Sequence, residues 1–406
     1  MRILQLNNSE GVKRIMRDIR VDRCGIDIML PKAVACLLKM NSVSNITANI
    51  LKQQMLSLGG DAAVARGSLT GRSRKTDCLL IGNLSQLNRL GQKLKKQPFG
   101  LKDIARDLSC LLDNYRKDEF VIQLPRQRLN LKKGRCYLMG ILNLTPDSFS
   151  GDGLYSSSLI PRPSSVVIDY AQKLIQDGAD IIDVGGESSR PGARVVPLKE
   201  ELARVIPVIK ALAKKTNLPL SIDTSKPEVA RQALDNGAQI VNDITGLRDP
   251  RMSRVASKYK AAVIIMHMKG NPRTMQKAPE YVSLIDEILE YLEGAIKRAV
   301  EAGIKRESII IDPGLGFGKA AEHNFQILKD LSDFKALGRP ILAGPSRKSF
   351  IGKVLHTGPG DRLGGTLACC VLAANNGAKI VRVHDLKQAR QALKVSQTIN
   401  RCDYAN

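Results

Sequence analysis

Tryptophan is absent from the 406 residues, and aromatic side chains make up only 4%. Readers of single-stranded RNA need aromatic platforms on which bases stack. This scarcity, with no stacking motif anywhere, argues against that class. No apolar run approaches the roughly 20 residues needed to span a bilayer. One of these runs, Ala261 to Met266, reads as a buried strand. The first residues, Met1-Arg2-Ile3-Leu4-Gln5-Leu6-Asn7-Asn8, turn polar too soon for a secretory signal. Eight cysteines include no Cys-x-x-Cys pair, and Cys369-Cys370 sit in an apolar helix. Reduced, structural thiols in a cytoplasmic protein are therefore expected. Internal repeats and low-complexity tracts are missing too.

Acidic residues are also scarce: 39 Asp+Glu face 63 Lys+Arg, a net charge of +24. Residues 1–135 hold 26 basic against 11 acidic residues, a net of +15, and the other 271 hold 37 against 28, a net of +9. Such a balance favours anionic partners, nucleic acid or small anions. In the leading region Lys93, Lys95 and Lys96 interleave with Leu87, Leu90 and Leu94 at helical spacing. They read as a solvated helix face rather than a nucleic-acid surface. A hydrophobic content of 43% with 25% charge is that of a globular chain able to bury a core.

From Val121 the pattern is regular. Residues 120–124 and 129–131 read as a short hairpin. Eight apolar strands then follow, ending at Asn143, Gly186, Asp223, Asp243, His267, Pro313, Gly344 and His384. Between them, residues 164–177, 198–214, 227–236, 281–302, 324–337 and 363–376 have helical period. Gly178, Gly237, Gly303 and Gly377 each follow one of these helices, as expected just past a helix C-terminus. Alternating strands and helices with right-handed crossovers make a parallel sheet, and eight units let it close into a (β/α)8 TIM barrel. An open doubly wound sheet is the alternative, but it normally carries Gly-x-Gly-x-x-Gly after its first strand, and none is present.

A barrel uses about 250 residues, so a second module is implied. Residues 1–118 are expected to form a small basic α/β or α+β domain, and 119–406 the barrel. In the leading part, residues 3–6, 26–30 and 78–82 read as strands and 45–58, 84–96 and 101–115 as amphipathic helices. Gly59-Gly60-Asp61 and the stretch from Gly67 to Gly71 read as loops.

A parallel barrel gathers its strand C-termini on one rim, where catalytic residues collect. That rim carries Asn143, Asp223, Asn242, Asp243, His267, Asp312, Arg382 and His384. The first strand runs into Asn143-Leu144-Thr145-Pro146-Asp147-Ser148-Phe149-Ser150, and the second ends in Asp183-Val184-Gly185-Gly186-Glu187-Ser188-Ser189-Arg190-Pro191-Gly192. Further motifs are Ser221–Ala230, Val241–Ile244, Met266–Gly270 with Thr274-Met275-Gln276, Asp312–Lys319, Gly344–Phe350 and Val381–Asp385. In these eight segments, in this order, the chain resembles the dihydropteroate synthases over residues 121–406.

The resemblance implies an alkyl transferase of folate biosynthesis that joins 7,8-dihydropterin-CH2-diphosphate to 4-aminobenzoate by a dissociative route. It implies a pterin site of Asp223, Asn242, Met266, Asp312, Phe317, Lys348 and Arg382. Diphosphate would meet Asn143, Arg190, Arg382 and His384, with Asn143 also contacting Mg2+ as cofactor. Phe149, Ser189, Arg190, Pro191 and Ser349 would hold 4-aminobenzoate. Asp147, Lys348, Arg382 and His384 would act in catalysis, and His267 would be structural. A homodimer through helices of the barrel's last third follows from the same resemblance, with no role for a membrane or nucleic acid.

The chain departs from the family pattern in Ser189, where Thr is usual, and in Gly151-Asp152-Gly153, where Asp-Gly-Gly is common. The second departure shifts a carboxylate by one position, at Asp152. A corrinoid-dependent methyltetrahydrofolate methyltransferase and a non-catalytic nucleic-acid-binding relic are the alternatives. The upstream pterin pyrophosphokinase that some relatives carry has no motif in residues 1–120.

Overall fold

Eight parallel strands close on themselves in the computed structural model of the chain, which describes residues 4, 9–70, 74–145, 165–188, 195–271, 274–276 and 278–401. They are β1 (Tyr137–Asn143), β2 (Ile181–Gly185), β3 (Leu220–Asp223), β4 (Ile240–Asp243), β5 (Ala262–Met266), β6 (Ile309–Asp312), β7 (Ile341–Ala343) and β8 (Ala378–Val383). β8 returns to β1, pairing Val381 with Leu138 and Arg382 with Met139. This is the expected (β/α)8 barrel, and each strand's last residues lie at the predicted rim.

The inward-facing residues form two layers. The lower is apolar: Met139, Ile181, Ile240, Ala262, Ile264, Ile310, Leu342 and Ile380 pack in one cluster with Phe120, Ile122, Leu124 and Leu131. The last four come from the antiparallel pair Phe120–Gln123 and Arg128–Leu131, the hairpin expected at the floor. Burying each such isoleucine stabilises the fold by roughly 1.5–3 kcal/mol. The upper layer, nearer the strand C-termini, is polar and forms the site described below.

Outside the strands lie Ser165–Gln176, Leu198–Leu212, Pro227–Asp235, Pro250–Lys258, Leu284–Glu301, Ala321–Lys329, Leu363–Asn375 and Leu386–Arg401. Two of these, Pro250–Lys258 and Leu386–Arg401, were not expected from periodicity. The first starts at a local signal: Asp249 caps it by accepting from the Arg251 N–H at 2.9 Å, with Pro250 at its first turn. The helix expected over 324–337 breaks into Ala321–Lys329 and a 3-10 segment, Leu331–Leu337, that ends on left-handed Gly338. Among the described residues, no helix is long and apolar enough to cross a membrane. Every described cysteine is a free thiol.

The chain divides into two compact units, one of them Asn114–Cys402 and the other led by Met1–Asp113. In the leading unit Lys75–Asn83 is the central strand of an antiparallel sheet, between Ala35–Ser44 and Asp61–Val64. Asn45–Ser57, Leu84–Leu94 and Leu101–Arg116 are helical, close to expectation. Leu51, Met55, Leu80, Leu87, Leu90, Leu94 and Leu101 form its core.

Two expectations fail here. The segment 26–30 is not a strand but part of the helix Arg23–Ala33. The apolar alternation of Ile26 and Ile28 is misleading, because Ile26 is buried while Ile28 is exposed. Asp22 starts the helix by accepting from the Gly25 N–H at 2.8 Å. The expected loop from Gly67 instead begins with a short helix, Gly67–Thr70. The strand Ala35–Ser44 was not foreseen; its register shifts between Met40 and Val43, where Ser42 takes a left-handed conformation and donates its N–H to Asp77 Oδ1 at 2.9 Å.

Candidate active site

The polar layer is centred on Arg382 of β8. Its Nε donates to Asp183 Oδ2 at 2.6 Å and its Nη2 to Asp223 Oδ2 at 2.8 Å. Asp183 lies on β2 and Asp223 on β3, so the guanidinium reaches inside the barrel past β1. Asn242 of β4, in register with Asp223, donates its Nδ2 to the same Asp183 Oδ2 at 3.0 Å. Four strands thus place four polar side chains in one bonded group, three of them expected from the sequence and Asp183 not assigned.

Burial pushes the Asp223 carboxyl up to about 7; Arg382 opposes the rise and Asp183 adds to it. Burial also works against the Arg382 charge, but Asp183 and Asp223 outweigh it and hold the guanidinium above its ordinary value. Asp312, at the end of β6, is likewise raised by burial, countered by Lys348 and by the Gly314 N–H, which donates to its Oδ1 at 2.7 Å. Burial lowers Lys348 to about 8, with Asp312 pulling it back up. Three carboxylates therefore share two cations in a largely dry space, where each charge needs its partners.

Beside this group lies an apolar cluster of Met266, Met268, Met275 and Phe317, with Ile244 packed against it. Met266 is in register with Asp312, so a hydrophobic wall stands next to a carboxylate. The Lys348 ammonium lies 4.6 Å from the Phe317 ring centroid and donates to the Leu315 carbonyl. Its stem crosses Gly316, where a Cβ would come within 3.0 Å of Lys348 Cδ and φ is +80°. Only glycine leaves the lysine this route. Behind it, Arg347 adopts φ 56° and pairs with Asp385 at 2.6 Å, fixing the turn that delivers Lys348.

His384 stands two residues beyond Arg382, and its Nδ1 meets Ser346 Oγ at 2.9 Å. The Ser346 oxygen also accepts the His384 backbone N–H at 3.2 Å, which fixes the ring at the rim. Asn143 is half-buried at the end of β1; a Cβ on Gly185 would lie 3.3 Å from its Oδ1 and 3.6 Å from Asp223 Cβ. The bare glycine thus leaves the amide oxygen room beside the carboxylate group. Ser349 is exposed at the start of Ser349–Leu355. Asp243 turns the other way: its oxygens accept from Thr245 Oγ1 at 2.7 Å and the N–H groups of Thr245 and Leu247, capping its own loop. Asp147, Asp152, Phe149, Ser189, Arg190 and Pro191 lie outside the described residues.

Two further polar groups were not expected. Lys226 bridges Glu187 and Glu201, each at 2.5 Å, and Thr224 Oγ1 donates to Glu201 at 2.6 Å. Glu187 in turn accepts the Val196 N–H at 3.0 Å, so the segments after β2 and β3 are tied together. Buried Lys319 places its ammonium 2.9 Å from His267 Nδ1 and 3.0 Å from the Phe317 carbonyl. Burial and Lys319 push His267 down to about 2, so it stays neutral and structural in geometry. The only sequence signal for Asp183 was a charge inside the apolar run Ile181-Ile182-Asp183-Val184.

Known proteins match this arrangement. Residues 139–384 match the pterin binding enzyme family. The dihydropteroate synthase of Escherichia coli strain K12 is 46% identical over 274 residues, 68% of this chain and 95% of that protein. A Halobacterium salinarum protein described as a probable bifunctional folylpolyglutamate synthase/dihydropteroate synthase is 39% identical over 351 residues, 86% of this chain and 41% of its own length. That stretch is longer than Asn114–Cys402 and so reaches into the leading unit. The Xanthomonas albilineans dihydropteroate synthase in complex with 7,8-dihydropteroate superposes with a TM-score of 0.62 at 38% identity, covering 70% of this chain and 99% of that one. With its closed barrel, its buried polar rim and these relatives, the chain belongs to the dihydropteroate synthase family of pterin-binding transferases.

Proposed function

We propose that the chain transfers a pterin-methyl group from 7,8-dihydropterin-CH2-diphosphate to the amine of 4-aminobenzoate, giving dihydropteroate and diphosphate. The observation that carries this reading is the Arg382-centred group beside the Met266–Phe317 wall. A pterin is a flat ring with a polar edge of amine, ring N–H and carbonyl groups. Asp223, Asn242 and Asp312 offer acceptors to that edge, Lys348 and Arg382 offer donors, and Met266 with Phe317 covers a ring face. Buried carboxylates need such donors.

In the reaction, the bond between the methylene carbon and the diphosphate oxygen breaks, and the electron pair leaves with diphosphate. Asn143, Arg382 and His384 bind the departing anion, together with Arg190. The methylene carbon keeps a positive charge delocalised over the pterin, stabilised by the nearby carboxylates and Asp147. The amine nitrogen then forms the new carbon–nitrogen bond and loses a proton, which the released diphosphate or water accepts. Water must be kept out until that bond forms. Phe149, Ser189, Arg190, Pro191 and Ser349 hold the aminobenzoate.

Among the described residues, no group of three or more His, Cys, Asp or Glu side chains is arranged to hold a metal. One amide oxygen, Asn143 Oδ1 beside Gly185, fits a divalent cation that arrives with the diphosphate. Mg2+ commonly binds through few protein ligands plus substrate phosphates and water, and it would supply neutralisation of the leaving group's charge. Exposed apolar residues Leu372, Val395 and Ile399 on the last two helices support a homodimer. The free thiols support a reducing, cytoplasmic setting.

The test is a synthase assay with both substrates, alongside calorimetry of Asp223→Asn and Asp312→Asn. Losing a charged partner in a buried pair costs about 2–5 kcal/mol, so both variants should bind pterin diphosphate far more weakly while staying folded. Unchanged affinity in both would remove the pterin assignment.

A further inference from the structure

Asp183 is absent from the set of residues that the family resemblance assigns to substrates. Yet it is fully buried, and one of its oxygens holds two of them. Oδ2 accepts from Arg382 Nε at 2.6 Å and from Asn242 Nδ2 at 3.0 Å. Its Oδ1 is also buried and has no partner among the described residues. The neighbouring strand offers none: in-register Ser221 is itself buried, with its Oγ unpartnered.

An asparagine amide can show a ligand either its N–H group or its carbonyl oxygen, and rotation by half a turn exchanges them. An ionised carboxylate only accepts. Next to Asp183, Asn242 must therefore turn Nδ2 towards the carboxylate. Its Oδ1, on the other side of the amide, has no partner among the described residues. The same constraint applies to Arg382: with Nε and Nη2 committed to Asp183 and Asp223, the guanidinium plane is fixed across the barrel mouth.

We infer that Asp183 is a positioning residue that sets the hydrogen-bonding polarity of the site: it locks Asn242 as an acceptor and Arg382 in one plane, so that the site selects a ligand edge presenting N–H groups. Besides Asp183 Oδ1, three acceptor oxygens then remain without a partner among the described residues, Asn242 Oδ1, Asp223 Oδ1 and Asp312 Oδ2. Donor-bearing heterocycles satisfy them; an edge made of carbonyl oxygens would leave buried acceptors facing acceptors, which is strongly disfavoured. The inference rests on the pterin reading above and adds the source of its selectivity.

The test exchanges the two partners. Asp183→Asn removes the obligate acceptor, so Asn242 is free to turn and Arg382 loses a charged partner. Pterin diphosphate should bind at least about tenfold more weakly, as expected for a lost charge-assisted bond. Asn242→Asp places two carboxylates together without the N–H between them, and binding should fall about a hundredfold or more. The double variant Asp183→Asn/Asn242→Asp restores one donor and one acceptor in reversed order, with an acceptor again left for the ligand. It should regain at least tenfold over Asn242→Asp, an effect that general destabilisation would not produce.

If Asn242→Asp does not fold, recovery of soluble, pterin-binding protein in the double variant is the expected result. Binding by Asp183→Asn equal to the unmodified protein, or a double variant no better than Asn242→Asp, overturns the inference. Failure of the unmodified protein to bind pterin diphosphate would instead overturn the underlying reading.

Discussion

Replacing Asp223 with asparagine should stabilise the protein above neutral pH while disabling it. In the folded chain burial raises this carboxyl from 3.8 to about 7. Its folded value lies above its unfolded one, so its contribution to stability is fully present below about pH 4 and is lost as pH rises through about 7. Each pH decade of displacement corresponds to about 1.4 kcal/mol, which makes the whole effect about 4 kcal/mol. The side chain is only 11% exposed, so solvent screening does little to reduce this. Between pH 5 and pH 8 the unmodified protein should lose about 2.5 kcal/mol through this group alone. Asp223→Asn lacks the titration. Its loss of the bond to Arg382 offsets the curve without changing the slope, because Arg382 keeps Asp183. Urea unfolding followed by circular dichroism at pH 5, 6, 7 and 8 would show the stability difference, variant minus unmodified protein, rising across the range. A difference flat to within about 0.5 kcal/mol would refute the buried, proton-binding Asp223 on which this reasoning depends.

Pterin affinity should follow a bell-shaped pH curve, since below about 7 a protonated Asp223 loses its charge and turns one oxygen into a donor, and Lys348 loses its proton above about 8; calorimetry from pH 5 to 9 that showed a flat affinity would contradict it. Lys319→Met leaves His267 Nδ1 and the Phe317 carbonyl without their donor and should destabilise the barrel by about 1–3 kcal/mol, with a gain in chemical stability as the opposing result. A chain beginning at Asn114 should fold and keep synthase activity. One beginning at Glu119 loses Asp118, the 3.0 Å partner of buried Lys379, and should be about 1–3 kcal/mol less stable. Equal melting points for the two shortened chains would argue against that pair.

The barrel was legible because each strand is an apolar run that ends abruptly in Asn, Asp, Gly, His or Pro, and closure carries those ends to one rim. Which of them touch was not legible. Arg382 and Asp183 are separated by 199 positions, and only the return of β8 to β1 brings them together. Asp183 carried a trace in the sequence, a charge among isoleucines. Lys319 carried none, since a lysine after glycines looks the same whether solvated or buried. The failed strand over 26–30 shows the weakness of short alternations: five residues fit either period, and the outcome rested on a cap at Asp22 outside the segment. The strand Ala35–Ser44 was hidden because a bulge at Ser42 interrupts its alternation.

The two layers inside the barrel separate what can change from what must stay. Below, Ile181, Ile240, Ile264, Ile310 and Ile380 are fully buried in one apolar cluster. Above, every charge leans on another, so one replacement disturbs several. Variation that begins in the upper layer therefore starts at a loss, whereas a tighter fit in the lower layer adds stability without reaching the chemistry. For a laboratory seeking to widen the range of ring systems this protein accepts, the order of work follows: strengthen the isoleucine layer first, then alter Asn242 or Asp312 from a protein that can absorb the damage.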